Sequence, residues 1–277
     1  MDDLQLKKLQ RAILLITDEV DRICTKNHIK YSLIGGSMLG AIRHKGFIPW
    51  DDDMDIGMLR QDYERFLEIC KTELKEEFDL QTNENDPFYV YGFAKILLKD
   101  TYLVQFGHEK TKSRKGVFVD IFPFDNVPED FNKRKKQGKR NYLYIKMLER
   151  KFTARSLKGL PFKKKLAFKT LDVMNVFCSQ QKLVQKLNSN MIIYNQSSTD
   201  YICNLSGYYG YERETIPARY FEKLIQVPFE DRTYYIMADY DTYLTHIYKD
   251  YMKLPPIEQR RTHGFQRLDF GPYSDKL

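Results

Sequence analysis

The chain has 277 residues, 42% of them hydrophobic, with 45 Lys or Arg against 38 Asp or Glu for a formal net charge of +7. That is enough for one large α/β domain, or a core with an appendage, and no apolar run approaches the ~20 residues of a membrane-spanning helix. The acidic opening Met1-Asp2-Asp3 lacks the apolar core of a signal peptide, and Cys24, Cys70, Cys178 and Cys203 form no Cys-x-x-Cys or zinc-type pattern, so a reduced cytoplasmic protein, soluble or at most peripheral, is expected.

Leu9, Ala12, Ile13, Ile16, Val20, Ile23 and Cys24 recur at three- and four-residue spacing and predict an opening amphipathic helix. Tyr31-Ser32-Leu33-Ile34 reads as a short strand, Gly35-Gly36 as a turn, and Ser37 as the N-cap of a short helix through His44. Backbone amides at such a helix start favour a phosphate. Four carboxylates, Asp51, Asp52, Asp53 and Asp55, then fall within five positions, and like charges that close repel unless a cation sits among them. If Met54-Asp55-Ile56-Gly57-Met58 is a strand, Asp53 and Asp55 leave one face and can share a hard cation, which is magnesium-site chemistry.

Each half of this signal has an ordinary reading, a tight turn or a solvated acidic face. In order within two dozen residues, with Pro49 and Trp50 stiffening the approach, the two point to metal-assisted phosphoryl transfer from a nucleotide-type donor. Arg43 suits a donor phosphate beside Gly35, Gly36 and Ser37, because a guanidinium can chelate two oxygens. Its alternative is a charge at the helix C-terminus.

Tyr63, Phe66, Leu67, Cys70 and Leu74 predict a second helix from Gln61 to about Glu77. Phe93–Leu98, Thr101–Phe106 and Val117–Ile121 read as strands, the first two joined by Lys99-Asp100 as a hairpin. Asp120 lies mid-strand among apolar neighbours, where an uncompensated carboxylate is costly and a metal is the economical partner. Lys95, equally central in its strand, needs a counter-charge that a phosphate or Asp120 could supply.

From about Pro128 to Asn190 the pattern is helical, broken near Gly159-Leu160-Pro161. Between Phe131 and Thr170 stand fifteen Lys or Arg against the single acid Glu149, so the rest of the chain is net acidic. Apolar residues interleave with these cations, and the segment suits an anionic membrane surface or a polyanionic acceptor. The plainer reading is a lysine-rich solvated face; nucleic acid is disfavoured because no nucleic-acid motif accompanies the patch. The remainder is rich in tyrosine, from Tyr194 to Tyr251, which makes either core with a polar handle or an aromatic box for a quaternary ammonium or a sugar. His44 and His263 are noted without a catalytic role.

From Gly35 to Ile56 the chain closely resembles the signature of the LicD family: Gly-Gly-Ser/Thr, then Leu-Gly-Ala-x-Arg-His-x-Gly-Phe-Ile-Pro-Trp-Asp-Asp-Asp-x-Asp-Ile. Met54 replaces the family's usual small hydrophobe. Gly116–Asp125 and the tail from Tyr243-Leu244 to Pro255-Pro256 resemble later family segments, and Arg260-Arg261-Thr262-His263 is similar but too short to be diagnostic. The resemblance implies an α/β (α+β) fold with a polymerase β-like nucleotidyltransferase core, a mixed sheet with flanking helices and a basic helical insertion. On the chain's organisation, the catalytic core spans 1–127, the basic helical segment 128–190 faces acceptor or membrane, and the tyrosine-rich part 191–277 packs on the core.

The same resemblance implies Asp53, Asp55 and Asp120 as the catalytic carboxylates, holding one or two Mg²⁺ ions, with Mn²⁺ as a substitute. Lys95 matches a basic position on the donor side. Trp50, Asp51 and Asp52 belong to the motif; the two aspartates orient the metal shell or the Trp50 loop, or bind a cationic choline head. The implied activity is transfer of a phospho-alcohol, phosphocholine from CDP-choline first, to a hydroxyl of a teichoic acid or lipopolysaccharide precursor in a bacterial cytoplasm, at the inner face of the membrane. Fukutin and fukutin-related protein transfer ribitol phosphate, so glycerol, ribitol or ethanolamine phosphate stays open. Two readings of other kinds are nucleotidyl transfer, told apart by product mass, and a non-catalytic basic module binding polyanions or membrane, which a missing carboxylate would mark.

Overall fold

A computed structural model describes residues 2–109, 111–152, 161–260, 262 and 264–277; His263 and the 159–160 part of the expected helix break lie outside the described residues. Helix α1 (Asp3–Lys26) starts where the Asp2 carboxylate accepts a hydrogen bond from the Gln5 amide, and its Leu9, Ile13, Ile16, Val20 and Ile23 stripe is fully buried. That stripe and helix α3 (Arg60–Glu73) pack on a mixed sheet. Its strands are β1 (Ser32–Leu33), β2 (Asp55–Leu59), β3 (Phe78–Gln81), β4 (Ala94–Leu98) and β6 (Val117–Val127), in the spatial order β1-β2-β6-β4-β3. Only the β2–β6 pairing is parallel; the others along this path are antiparallel.

Strand β6 is the spine of the molecule. Its first half pairs with β2 and β4, while Asp125–Val127 pairs with β7 (Tyr201–Cys203), which in turn pairs with β8 (Thr215–Pro217). Pro123 falls on the edge where β4 has ended and β7 has not begun, so its missing N–H breaks no ladder there. Helices α4 (Phe131–Phe152), α5 (Phe162–Val176) and α6 (Gln180–Ile192) follow, and a second apolar cluster of Val127, Met147, Leu148, Leu183, Leu187 and Met191 joins α4 and α6 to this end of β6. The hairpin β9 (Leu224–Phe229) and β10 (Arg232–Met237) docks beside β1, where the Met237 amide donates to Ser32 Oγ at 3.1 Å. Helices α7 (Tyr211–Glu214) and α8 (Tyr240–Tyr248) complete the fold together with strand β11 (Phe265–Asp269).

Three sequence expectations are corrected. Strand β5 (Tyr102–Gln105) makes no hairpin with β4: both edges of β4 are taken by β3 and β6, and β5 pairs with β11 instead. Lys99-Asp100 still turns the chain, with Asp100 at φ +59°, but Gly271 presses on the Asp100 carbonyl and seats the C-terminal strand there. The second helix stops at Glu73, and Phe78–Gln81, whose Phe-Asp-Leu-Gln alternation is only four residues long, becomes a strand because β4 offers an edge. Ser37 is not an N-cap: helix α2 (Gly35–His44) begins two residues earlier, because Gly35 at φ +53° turns the chain straight out of the β1 extension.

One buried ion pair fastens the two ends of β6's surroundings. The Arg60 guanidinium donates through Nε and Nη2 to both Asp125 oxygens at 2.7 Å, and Asn195 Nδ2 donates to Oδ1 at 2.6 Å. Asp125 is fully buried and the pair is bidentate, so losing the cation strands a charge. Arg60→Ala should cost about 3 kcal/mol by chemical denaturation, on the scale of broken buried pairs, and Arg60→Lys should recover part of it. A loss under about 1 kcal/mol, the level of an exposed pair, would show that Asp125 finds other compensation.

Candidate active site

The site is built where β1, α2, β2 and β6 meet. The Ile34 amide donates to the Asp55 carbonyl at 3.1 Å, and the Asp55 amide donates to Ser37 Oγ at 2.9 Å. The hydroxyl expected to cap α2 therefore ties α2 to the first residue of β2. The Asp120 amide donates to the Met54 carbonyl at 3.0 Å, and the parallel register sets Asp55 directly opposite Asp120. Residues paired in this way lie on one face of a sheet, their Cα atoms roughly 5 Å apart. On the other side of Asp120 the antiparallel register supplies Lys95, whose Nζ donates to Asp120 Oδ1 at 2.6 Å. Asp55, Asp120 and Lys95 thus form a row across three strands. The Lys95 ammonium also sits 3.2 Å from the centre of the Phe118 ring.

Asp53 lies just outside the ladder, which begins at Asp55, and its neighbours in space are Asp51 and Asp52. One oxygen from each of these three falls within 4.8 Å of the others. Their loop is fixed on several sides. Gly40 lets the Gly46 carbonyl approach so closely that a Cβ would stand 2.5 Å from it, Gln10 Nε2 donates to the Asp51 carbonyl, and the Gly264 amide donates to Asp52 Oδ2 at 3.0 Å. A Cβ on Gly36 would lie 3.2 Å from Asp51 Oδ2, so the glycine pair backs directly on the acidic loop. Trp50 is flanked by the His44 ring and by the Arg260 guanidinium, 5.2 Å from the Trp50 ring centre.

Arg43 turns to the tail. Its Nη1 donates to the Tyr251 carbonyl at 2.7 Å and its Nε to His44 Nε2 at 2.9 Å. Burial, and then the Arg43 charge, push the His44 imidazole below its usual range.

The tyrosine-rich part supplies the roof. Tyr243, fully buried, accepts the Gly35 amide at its hydroxyl at 3.0 Å, which removes that amide from the pool at the start of α2. Tyr209 and Tyr248 share a hydroxyl–hydroxyl hydrogen bond of 2.5 Å with rings edge to face, and both reach the space over Gly35 and Asp55. Burial raises all three phenols, Asp55 adding to the effect, so each stays protonated and can donate. Behind them Glu214 is buried and accepts the Tyr209 amide at 3.1 Å; burial pushes its carboxyl up to about 7.

Sequence reasoning did not find Glu214, which shows no pattern, nor the pocket on the far side of Lys95. That pocket is lined by Tyr89, Tyr91, His108, Lys115 and Phe118. Tyr91 Oη and His108 Nε2 are 3.3 Å apart, and burial, then the Lys95 charge, lowers the His108 pKa. The buried Tyr89 hydroxyl has no hydrogen-bond partner among the described residues. The alternating aromatics of Phe88-Tyr89-Val90-Tyr91-Gly92-Phe93 were the available signal.

The structure thus brings together Gly35, Gly36, Ser37, Asp51, Asp52, Asp53 and Asp55 around one loop, and Asp120 and Lys95 beside Asp55. The donors offered are carboxylate oxygens, without thiol or imidazole, a set that fits a hard cation such as Mg²⁺ or Mn²⁺.

Glu214 carries a pH signature. Its folded pKa lies above the ordinary 4.5, so between about 4.5 and 7 the folded protein holds a proton that the unfolded chain has lost, and stability falls as pH rises through that window. Glu214→Gln should abolish this slope. The stability of wild type minus variant should decline by up to roughly 3 kcal/mol across the window, at ~1.4 kcal/mol per pKa unit. Parallel curves for the two proteins would show that Glu214 ionises freely.

Comparison with known proteins locates this constellation. The family model described as "LicD/FKTN/FKRP, nucleotidyltransferase domain" matches residues 28–167, a range that contains the acidic loop, Lys95 and Asp120. The lipopolysaccharide cholinephosphotransferase LicD of Haemophilus influenzae is 35% identical over 273 residues, 96% of this chain and 98% of that protein. An uncharacterized protein of Rickettsia prowazekii is 32% identical over 148 residues, 44% of this chain and 54% of its own. The mouse ribitol 5-phosphate transferase FKRP is 30% identical over 96 residues, 35% of this chain and 17% of its own.

Proposed function

The chain belongs to the LicD family, and on that premise we propose that it is a phosphotransferase that moves phosphocholine from CDP-choline to a hydroxyl of a lipopolysaccharide-type glycan, with a divalent cation held by its aspartates. The observation that carries this reading is the row of Asp55, Asp120 and Lys95 across β2, β6 and β4, set beside the Asp51–Asp53 cluster and the start of α2. The similarity to the Haemophilus cholinephosphotransferase along nearly the whole of both chains favours choline as the alcohol and lipopolysaccharide as the acceptor type. A teichoic acid precursor is the alternative acceptor, and glycerol, ribitol or ethanolamine phosphate the alternative cargo. A polymerase β-like core, catalytic over 1–127, is part of the same proposal.

Asp53, Asp55 and Asp120 are the residues proposed to hold Mg²⁺ or Mn²⁺, with Asp51 and Asp52 shaping the loop beside them. A cation bound there supplies Lewis-acid stabilisation of phosphate charge. The chain's own groups do the rest. The amides of Gly36 and Ser37 lie in the first turn of α2, where a helix leaves N–H groups without intrahelical partners, and they face donor phosphate oxygens. Lys95 stands between Asp120 and the aromatic pocket, placed to balance the charge of a phosphate that arrives beside the carboxylates. The small pocket of Tyr89, Tyr91 and His108 gives Lys95 aromatic walls and polar edges on the side away from Asp120.

Tyr209 and Tyr248, backed by the buried Tyr243, close the other side, excluding water and presenting aromatic faces and neutral hydroxyls to the alcohol. Arg43 acts on the site through the tail it anchors. The proposal includes a bacterial cytoplasmic location at the inner face of the membrane. No helix among the described residues is long and apolar enough to cross a membrane.

The test offers CDP-choline, CDP-ribitol, CDP-glycerol and CDP-ethanolamine with a lipooligosaccharide acceptor, and reads CMP release and product mass. The expected result is CMP release that requires a divalent cation, is fastest with CDP-choline and adds phosphocholine to the acceptor. Release of phosphocholine with cytidylate left on the acceptor, or of pyrophosphate when CTP is offered in place of a CDP-alcohol, would replace the proposal with nucleotidyl transfer. Asp55→Asn and Asp120→Asn should each lower turnover by at least about 10³-fold, the scale of losing a preorganised charge at a phosphoryl centre; the metal-free melting temperature should stay equal or rise for Asp55→Asn, as repulsion is relieved, and fall for Asp120→Asn, which leaves the buried Lys95 ammonium without its carboxylate. Either variant with near wild-type turnover in saturating Mg²⁺ would remove that residue from the metal set.

A further inference from the structure

Helix α5 is the one place in the described chain where fifteen consecutive helical residues include none that is buried. Its inner side is nevertheless committed. Asp172 accepts from Arg150 on α4 at 2.7 Å, Asn175 Nδ2 donates to the Met147 carbonyl at 3.0 Å, Leu171 packs against the second apolar cluster, and the Arg150 guanidinium covers the Phe168 ring. These contacts fix which way the helix faces.

The opposite side is apolar and uncovered. At 100° per residue Phe162, Leu166, Val173, Val176 and the capping Phe177 fall within one arc of about 100°, away from Phe168, Leu171 and Asn175. They are 78%, 57%, 61%, 79% and 82% exposed. Five large hydrophobic side chains on a single short helix exceed the scatter of lone apolar residues that any surface carries. Lysine surrounds them: Lys169 lies within the arc, Lys165 at one border and Lys163 just beyond the other, while the helix's only acid, Asp172, is spent on Arg150. A protein partner would need a complementary acidic rim of matching shape. An anionic bilayer offers both chemistries without any: headgroup charge for the ammonium groups, and an acyl boundary for Phe, Leu and Val as the lysine stems extend along it.

We propose that α5 lies in the plane of an anionic membrane surface and holds the enzyme there, with Phe162, Leu166, Val173, Val176 and Phe177 inserted at the acyl boundary. This rests in part on the reading of a lipid-linked glycan acceptor, because a surface anchor would bring the active site to substrates confined to that plane. The charged run expected from the sequence to make the contact is thus only its rim.

The test is co-sedimentation of the full chain with vesicles of phosphatidylcholine alone and with 30% phosphatidylglycerol. Binding to the anionic vesicles should be at least about tenfold tighter. The triple variant Phe162→Ser, Val176→Ser, Phe177→Ser should lose that binding by at least about tenfold, with a nearly unchanged melting temperature and unchanged transfer to a delipidated acceptor, because most of the surface of these side chains is exposed and none belongs to the core. Charge reversal at Lys163 and Lys169 should weaken binding by an amount that shrinks as salt rises. Absence of vesicle binding at low salt, or a triple variant that binds like wild type, would overturn the proposal. So would a concentration-dependent dimer in sedimentation velocity that the triple variant abolishes while vesicle binding persists. An inactive wild-type protein that still binds anionic vesicles through these residues would overturn the assigned activity and support the anchor.

Discussion

The parallel pairing of β2 with β6 puts Asp55 across from Asp120, and the antiparallel pairing of β6 with β4 puts Lys95 on Asp120's other side. The surrounding elements accommodate this row. Two carboxylates on neighbouring strands repel, and Asp51, Asp52 and Asp53 add further negative charge from the adjoining loop. The lysine answers part of it. Both ends of the Lys95–Asp120 pair are close to 90% buried, and a pair so placed gains little net stability once desolvation is counted. Its value lies in the site: it fixes the Asp120 carboxylate in place and leaves a cation poised beside the place where phosphate charge would enter.

Rigidity is then required of everything that touches the row. The loop 45–53 has no secondary structure of its own after α2, yet Gly40, Gln10 and Gly264 pin it from three separate parts of the chain. Gly57 shows the same pressure from below, since a Cβ there would stand 2.7 Å from Phe124 and 2.8 Å from Ile34, so β2, β6 and the approach to α2 pack without a side chain between them. The C-terminal third closes the arrangement through Tyr243 on Gly35 and Arg43 on the tail. Residues nearly 210 positions apart therefore set the geometry of the glycine pair.

What the sequence made legible follows the range of the forces involved. The strand, short helix and acidic strand of residues 31–59 are local and appear close to where periodicity and turn chemistry put them, with the glycine pair read as a turn taken into the helix; α1 and the first half of β6 also appear where expected. The misread parts depended on distant partners. Ser37 has the chemistry of a cap, but the Asp55 amide takes its hydroxyl; Lys99-Asp100 has the length of a hairpin turn, but β4 has no edge to offer. Glu214 was invisible because nothing in Tyr-Glu-Arg-Glu-Thr marks which glutamate is buried, and that the Tyr89 hydroxyl lacks a partner among the described residues could be known only once its surroundings were assembled.

The two halves of β6 connect the chemistry with the surface where its acceptor would be met. Asp120 in the first half belongs to the carboxylate row; Asp125, five residues on, is held by Arg60 at the end of β2 and by Asn195 after α6, and Val127 anchors the apolar cluster of α4 and α6. A strand is stiff along its axis, so the distance from the row to the helical layer is set by β6 itself and not by a linker. An enzyme whose acceptor is confined to a plane needs a fixed height between that plane and its reacting atoms. A helix docked on α4, with its apolar side turned outward and its inner side bonded through Arg150 and Asn175, would define that height through a continuous run of packed elements. On the proposed anchor the basic helical layer would act as a spacer as well as an attractor, with the sheet transmitting its position to the row of Asp55, Asp120 and Lys95.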